Sequence, residues 1–172
     1  MLDLNKLAEG LPAITASFGK YLAEAGAVCL ESQGHQQGQS LTLQGDQSLQ
    51  YALNWPIVND QMQRCLNDQE EATELGATGI AVLLAKKVVG YTVIDRSCKG
   101  TGFDYWLGEE SPIPFQNKAR LEISGIRKGN AGLVQSRVKS KLKQTDPSDQ
   151  TRLPAYVVVV EFSQPLVDMR KK

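Results

Sequence analysis

The chain has 172 residues and zero formal net charge, with 41% hydrophobic and 22% charged residues. That length accommodates one domain with a sizeable core, and the charge balance excludes a protein that works through its net field. No apolar run approaches the roughly 18 residues of a membrane span, so no transmembrane helix is expected.

Cys29, Cys65 and Cys98 are widely spaced and form no CxxC pair, which argues against a zinc site or a disulfide framework. Free thiols and no signal-peptide pattern make the cytoplasm the expected location. The lone histidine, His35, argues against a His-rich metal site and a Ser-His-Asp triad.

In chain order, residues 3–26 read as helix, interrupted near Gly10-Leu11-Pro12, with Gly26 as its stop. Val28–Glu31 reads as a short strand. Residues 40–44 and 49–55 alternate as strands around a Gly45-Asp46 turn. These first sixty residues form a helix and small β meander, read as an addition that packs on the core or on a protein partner. Pro56–Lys87 reads as one long helix with Cys65, Ala72, Leu75, Gly76, Gly79, Ile80 and Leu83 on its apolar face. On that wheel Asp68 lies within the face, Glu71 at its edge and Glu74 nearly opposite. An acid from this helix that reaches a site is therefore expected to be Glu71 or Asp68.

Strands are expected at 89–95, 102–107 and 118–126, a second core helix at 133–145, and a strand buried on both faces at 155–163. Residues 166–172 read as a charged tail. The fold class is thus α+β or α/β in one domain: an extension over 1–60, a core over 61–165 and the tail. The core has αβββαβ order, with a mixed central sheet flanked by helices.

Two acids stand out. Asp104 sits inside Gly102-Phe103-Asp104-Tyr105-Trp106-Leu107, and Glu122 inside Arg120-Leu121-Glu122-Ile123-Ser124. Strand interiors disfavour Asp, and a buried charge is costly without a partner, so acids on neighbouring strands suggest a cation site. Period two places Lys118, Arg120, Glu122 and Ser124 on one face. From Lys118 to Lys143 there are eight basic residues against the single acid Glu122. That segment is the expected contact for nucleic-acid phosphate, through Arg120, Arg127, Lys128 and Arg137. Val134, Val138 and Leu142 form the second helix's stripe, with Lys141 among them and Arg137 at its margin. Trp106 is expected to pack rather than to stack on a base.

The element order and the two acids resemble the PD-(D/E)XK nuclease superfamily over roughly residues 62–163. The resemblance implies Mg2+- or Mn2+-dependent hydrolysis of DNA phosphodiesters, with Asp104 and Glu122 as metal ligands and Glu71 as the assisting helix acid. Phe103 stands in the position of the family's proline. Ser124 stands in that of its lysine, so the positive charge is expected from Lys141, Arg137 or Arg120. Many nucleases of this type act as homodimers. The alternative is a catalytically inactive nuclease fold serving as an accessory or interaction module.

Overall fold

The structure, a computed structural model, describes residues 1–172. It is a mixed α/β chain whose strands form one curled sheet. The strands are β1 (Leu2–Asp3), β2 (Ser40–Gly45), β3 (Leu49–Asn54), β4 (Thr92–Arg96), β5 (Tyr105–Gly108), β6 (Ala119–Ile126), β7 (Ala155–Glu161) and β8 (Leu166–Lys171). Their order across the sheet is β1-β3-β2-β8-β7-β6-β5-β4. The helices are α1 (Ala16–Ser32), α2 (Asp60–Cys65), α3 (Gln69–Leu84) and α4 (Ala131–Gln144). None is long and apolar enough to cross a membrane.

Thr15 caps α1 by accepting the Phe18 N–H, and the helix then runs through the segment expected as a strand. Val28, Cys29 and Leu30 are its buried last turn. Their β-branched and thiol side chains favour a strand locally, but burial of the helix on several sides overrides that preference. Gly26, expected as a stop, lies inside α1 at its contact with α3. A Cβ on Gly76 would stand 2.9 Å from the Gly26 Cα and 3.1 Å from Phe162. The glycines at this crossing let two backbones approach.

The long helix expected over Pro56–Lys87 is two helices followed by a π-turn at Ala85–Val89. The break has a cause: Asp68 accepts the N–H groups of Glu70 and Glu71 and caps α3. Asp68 is thereby committed to structure, and Cys65 shares no wheel with α3.

On one side of the sheet, α1 and α3 fill the curl, and α3 touches strands near both ends, β1 and β4. On the other side, α4 places Val134 and Val138 against Ile126, Val157 and Val159. β6 and β7 run parallel, joined through α4, while β5 and β4 continue antiparallel from β6.

Two boundaries differ from expectation. Residues 166–171 are no tail: β8 lies between β7 and β2, with Val167 and Met169 in the core. Asp168 is buried there because Arg170 Nε and Gln44 Nε2 donate to its carboxylate at 2.8 and 3.0 Å. The first sixty residues are likewise woven in, since β2 pairs with β8 and β1 with β3.

Candidate active site

β5 is short, and this exposes the site. It pairs with β6 only over Ala119–Leu121. Arg120 N–H bonds towards the β7 side, so alternate N–H groups at Ile123 and Gly125 face the other way, past the end of β5. Two carboxylates take the place of the missing strand. Asp104 Oδ2 accepts the Ile123 N–H at 2.8 Å, and Glu74 Oε2 accepts the Gly125 N–H at 3.2 Å. Gly125 permits this approach, because a Cβ there would stand 2.6 Å from the Thr73 carbonyl oxygen of α3.

The opposite residues of β6 point towards α4. Glu122 is 1% exposed. Its Oε1 accepts from Lys141 Nζ at 2.7 Å and from Gln144 Nε2 at 2.8 Å, whereas its Oε2 is buried with no hydrogen-bond partner. Burial first, and then the neighbouring Asp104 carboxylate, push the Glu122 carboxyl from near 4.5 up to about 7, against the opposing pull of Lys141. One turn earlier on α4, Arg137 Nη1 donates to Ser124 Oγ at 2.7 Å and to the Gly125 carbonyl at 3.3 Å. The two cations that the α4 stripe carries among its apolar residues therefore both reach β6.

Glu74 belongs to the same neighbourhood. Partial burial raises its pKa, the Gly125 N–H, Lys141 and Arg137 oppose the rise, and Asp104 adds to it. Glu71, the helix acid expected from the wheel, and Glu74 are both exposed, but only Glu74 reaches β6, at the Gly125 N–H. The reason is the break at Asp68 together with burial of α3 on a second flank through Thr73 and Ala77, which carries Glu74 to the sheet.

The other expected residues separate. Arg120 is 2% exposed, and its guanidinium donates to Leu153 O, Thr145 O, Ser148 Oγ and Asp149 Oδ1. No donor remains for phosphate, so its place is structural. Arg127 is held by Ser32 Oγ at 2.8 Å, and Lys128 is exposed. With Arg137 and Glu74 they line an open groove of about 680 Å³. Trp106 packs edge-on against Phe103, with ring centroids 4.7 Å apart. A second concavity of about 360 Å³ contains Asp104, Glu122 and Gln144, and is walled by Arg96 at the end of β4 and Lys99 on the loop that follows. Sequence reasoning passed over Glu74, Gln144 and these two cations. A loop that returns a chain directly to Asp104 was the available signal for Arg96 and Lys99.

No set of three or more His, Cys, Asp and Glu side chains converges as a metal cage. The fit of a single cation rests on the buried Glu122 Oε2, which no protein donor reaches, lying beside the Asp104 carboxylate. Oxygen-only donors of this kind suit a hard ion such as Mg2+ or Mn2+.

Without such an ion, Glu122 makes stability depend on pH. Its folded-state pKa is raised, so the folded chain binds more protons than the unfolded chain between about 4.5 and about 7. The Glu122 contribution is expected to be fully present below that window and to be lost through it as pH rises, by roughly 3 kcal/mol at 1.36 kcal/mol per unit. Urea unfolding across this range in chelator should show the fall, and Glu122→Gln should flatten it.

Comparison with protein-family models, with curated proteins and with solved structures gives no match for this chain.

Proposed function

We propose that this chain is a divalent-cation-dependent phosphodiesterase that acts on DNA with a PD-(D/E)XK-like arrangement. The observation that carries this reading is the buried, unpartnered Glu122 Oε2 beside the Asp104 carboxylate. It is supported by the run α3–β4–β5–β6–α4–β7, with β4 to β7 adjacent in order. It is supported also by the cations that α4 brings to β6.

Asp104 and Glu122 would hold Mg2+ or Mn2+, with Glu74 nearby. When bound, the ion supplies a lowered pKa for the attacking water and neutralisation of charge developing on the phosphate. The chain's own groups do the rest. Arg137 brings to Ser124 the positive charge that the strand itself lacks. Lys141 holds Glu122 through one oxygen and leaves the other directed at the site. Arg127 and Lys128, on the groove beside Glu74, grip the backbone without reading bases.

One observation favours a second reading, an inactive fold used as an accessory module: Lys141 already neutralises part of Glu122, at 2.7 Å. Calorimetric titration with Mn2+ and Mg2+, run beside cleavage of supercoiled and single-stranded DNA, separates the two. One cation site is expected, lost in Asp104→Asn and Glu122→Gln. Glu74→Gln is expected to weaken it roughly 10- to 100-fold, as removal of a supporting partner does, while Glu71→Gln leaves it unchanged. Cation binding without cleavage selects the accessory module. No cation binding removes the phosphodiesterase reading.

A further inference from the structure

We infer that Arg96, the last residue of β4, and Lys99, on the loop that leads to β5, form a second phosphate-binding arm. On this inference a nucleic-acid backbone is held on both sides of the acids rather than only by the β6–α4 segment. The inference rests on the DNA reading above and extends it to residues outside the basic stretch 118–143.

Four observations carry it. First, the loop and the acids share one concavity, with Arg96, Ser97 and Lys99 on its wall and Asp104, Glu122 and Gln144 within it. The buried Glu122 Oε2 has no protein partner there. Second, both cations are exposed, and neither is in an ion pair. A guanidinium and an ammonium free of carboxylates beside an acid pair are placed to offset repulsion between those acids and an approaching phosphate.

Third, Arg96 is already ordered. Its Nη1 donates to the Tyr105 hydroxyl at 2.9 Å, and its guanidinium lies 5.1 Å from the Tyr105 ring centroid. Tyr105 is 1% exposed, so the platform itself is fixed. A preorganised guanidinium loses little side-chain freedom on gripping an anion. Fourth, the loop is pinned. Ser97 N–H donates to the Asp104 carbonyl at 2.8 Å, and Ser97 and Thr101 share a hydroxyl hydrogen bond. Gly102 has φ 82°, and a Cβ there would stand 2.0 Å from the Gln144 carbonyl oxygen. The loop thus closes against the end of α4, the helix that supplies Lys141 and Arg137. Cations from two separate elements then flank the acids: Arg96 and Lys99 on one side, Arg127, Lys128 and Arg137 on the other.

The test is fluorescence anisotropy of a labelled DNA oligonucleotide, single-stranded and duplex, in chelator so that nothing is cleaved. Each phosphate contact contributes about 0.9 to the slope of log K against log salt for duplex and about 0.7 for single strands. The Arg96→Ala/Lys99→Ala pair is expected to shrink the slope by about 1.8 or 1.4 respectively, the sum of two such contacts. Arg96→Lys keeps the charge and should keep the slope. Lys99→Glu touches no packed group, so its weakened binding should appear with an unchanged melting temperature. Lys139→Ala/Lys143→Ala, on the solvent side of α4, should leave the slope as it is. An unchanged slope in the Arg96/Lys99 pair, or an equal loss in the Lys139/Lys143 pair, overturns the arm alone. Absence of DNA binding by the unaltered chain at low salt overturns the DNA reading and the arm together.

Discussion

Asp104→Asn and Glu122→Gln are each expected to slow phosphodiester cleavage roughly 10²- to 10³-fold, the rate equivalent of several kcal/mol of lost charge stabilisation. The two changes act on one cation, so the double variant should be little slower than the worse single one. Neither change should weaken the fold. An Asn at 104 keeps an oxygen for the Ile123 N–H, which now donates at 2.8 Å. A Gln at 122 keeps an acceptor for Lys141 and gains a donor to face Asp104, which removes a buried like-charge contact. Single-turnover cleavage at a Mn2+ concentration that saturates the unaltered chain is the measurement. An undiminished rate in either variant removes the acids from the reaction.

Arg120→Ala is expected to cost roughly 2–5 kcal/mol of stability, since a large buried side chain is deleted and buried acceptors lose their donor. Arg120 ties together Thr145, Ser148, Asp149 and Leu153, the 3-10 turn and strand entrance that follow α4. Its removal loosens the stretch that anchors the C-terminal end of α4, and with it Lys141 and Gln144. Arg120→Lys should recover little, because one ammonium cannot span a fork-shaped set of acceptors. Asp149→Asn, by contrast, is expected to move the urea midpoint little, because its side chain is 46% exposed and its ion pairs are screened by solvent. Urea midpoints with an unchanged m-value check both. A small loss in Arg120→Ala would return that residue to the list of candidate phosphate contacts.

The part of the chain with clean periodicity was legible. Strands β6 and β7 and helix α4 lie close to where alternation and the Val134-Val138-Leu142 stripe put them, whereas β4 starts only at Thr92 and β5 only at Tyr105, which leaves Asp104 just ahead of its strand. Asp104 and Glu122 come together because the acids interrupt runs that otherwise have no reason to carry charge. Lys141 was visible for the same reason on a helix. What was not legible depended on partners distant in sequence. Glu74 was ranked below Glu71 because a wheel assumes one buried face and no break, whereas α3 restarts at Asp68 and buries two flanks, so that the exposed Glu74 still reaches the Gly125 N–H. Arg120 shared a face with Glu122 by alternation, yet its acceptors lie 25 to 33 residues away. β8 was hidden because Asp168 and Arg170 masked a strand whose charges are satisfied by each other and by Gln44.

The position of β8 has a consequence for how the chain is made. The β2–β3 hairpin leaves the ribosome early, but its inner neighbour, residues 166–171, is synthesised long afterwards. A lone two-stranded hairpin is marginal in water, so the nascent chain must wait with an open strand edge until residues 166–171 insert beside β2. Deleting residues 166–172 would leave two half-sheets with no common seam, and the expected product is insoluble aggregate rather than a shortened folded chain.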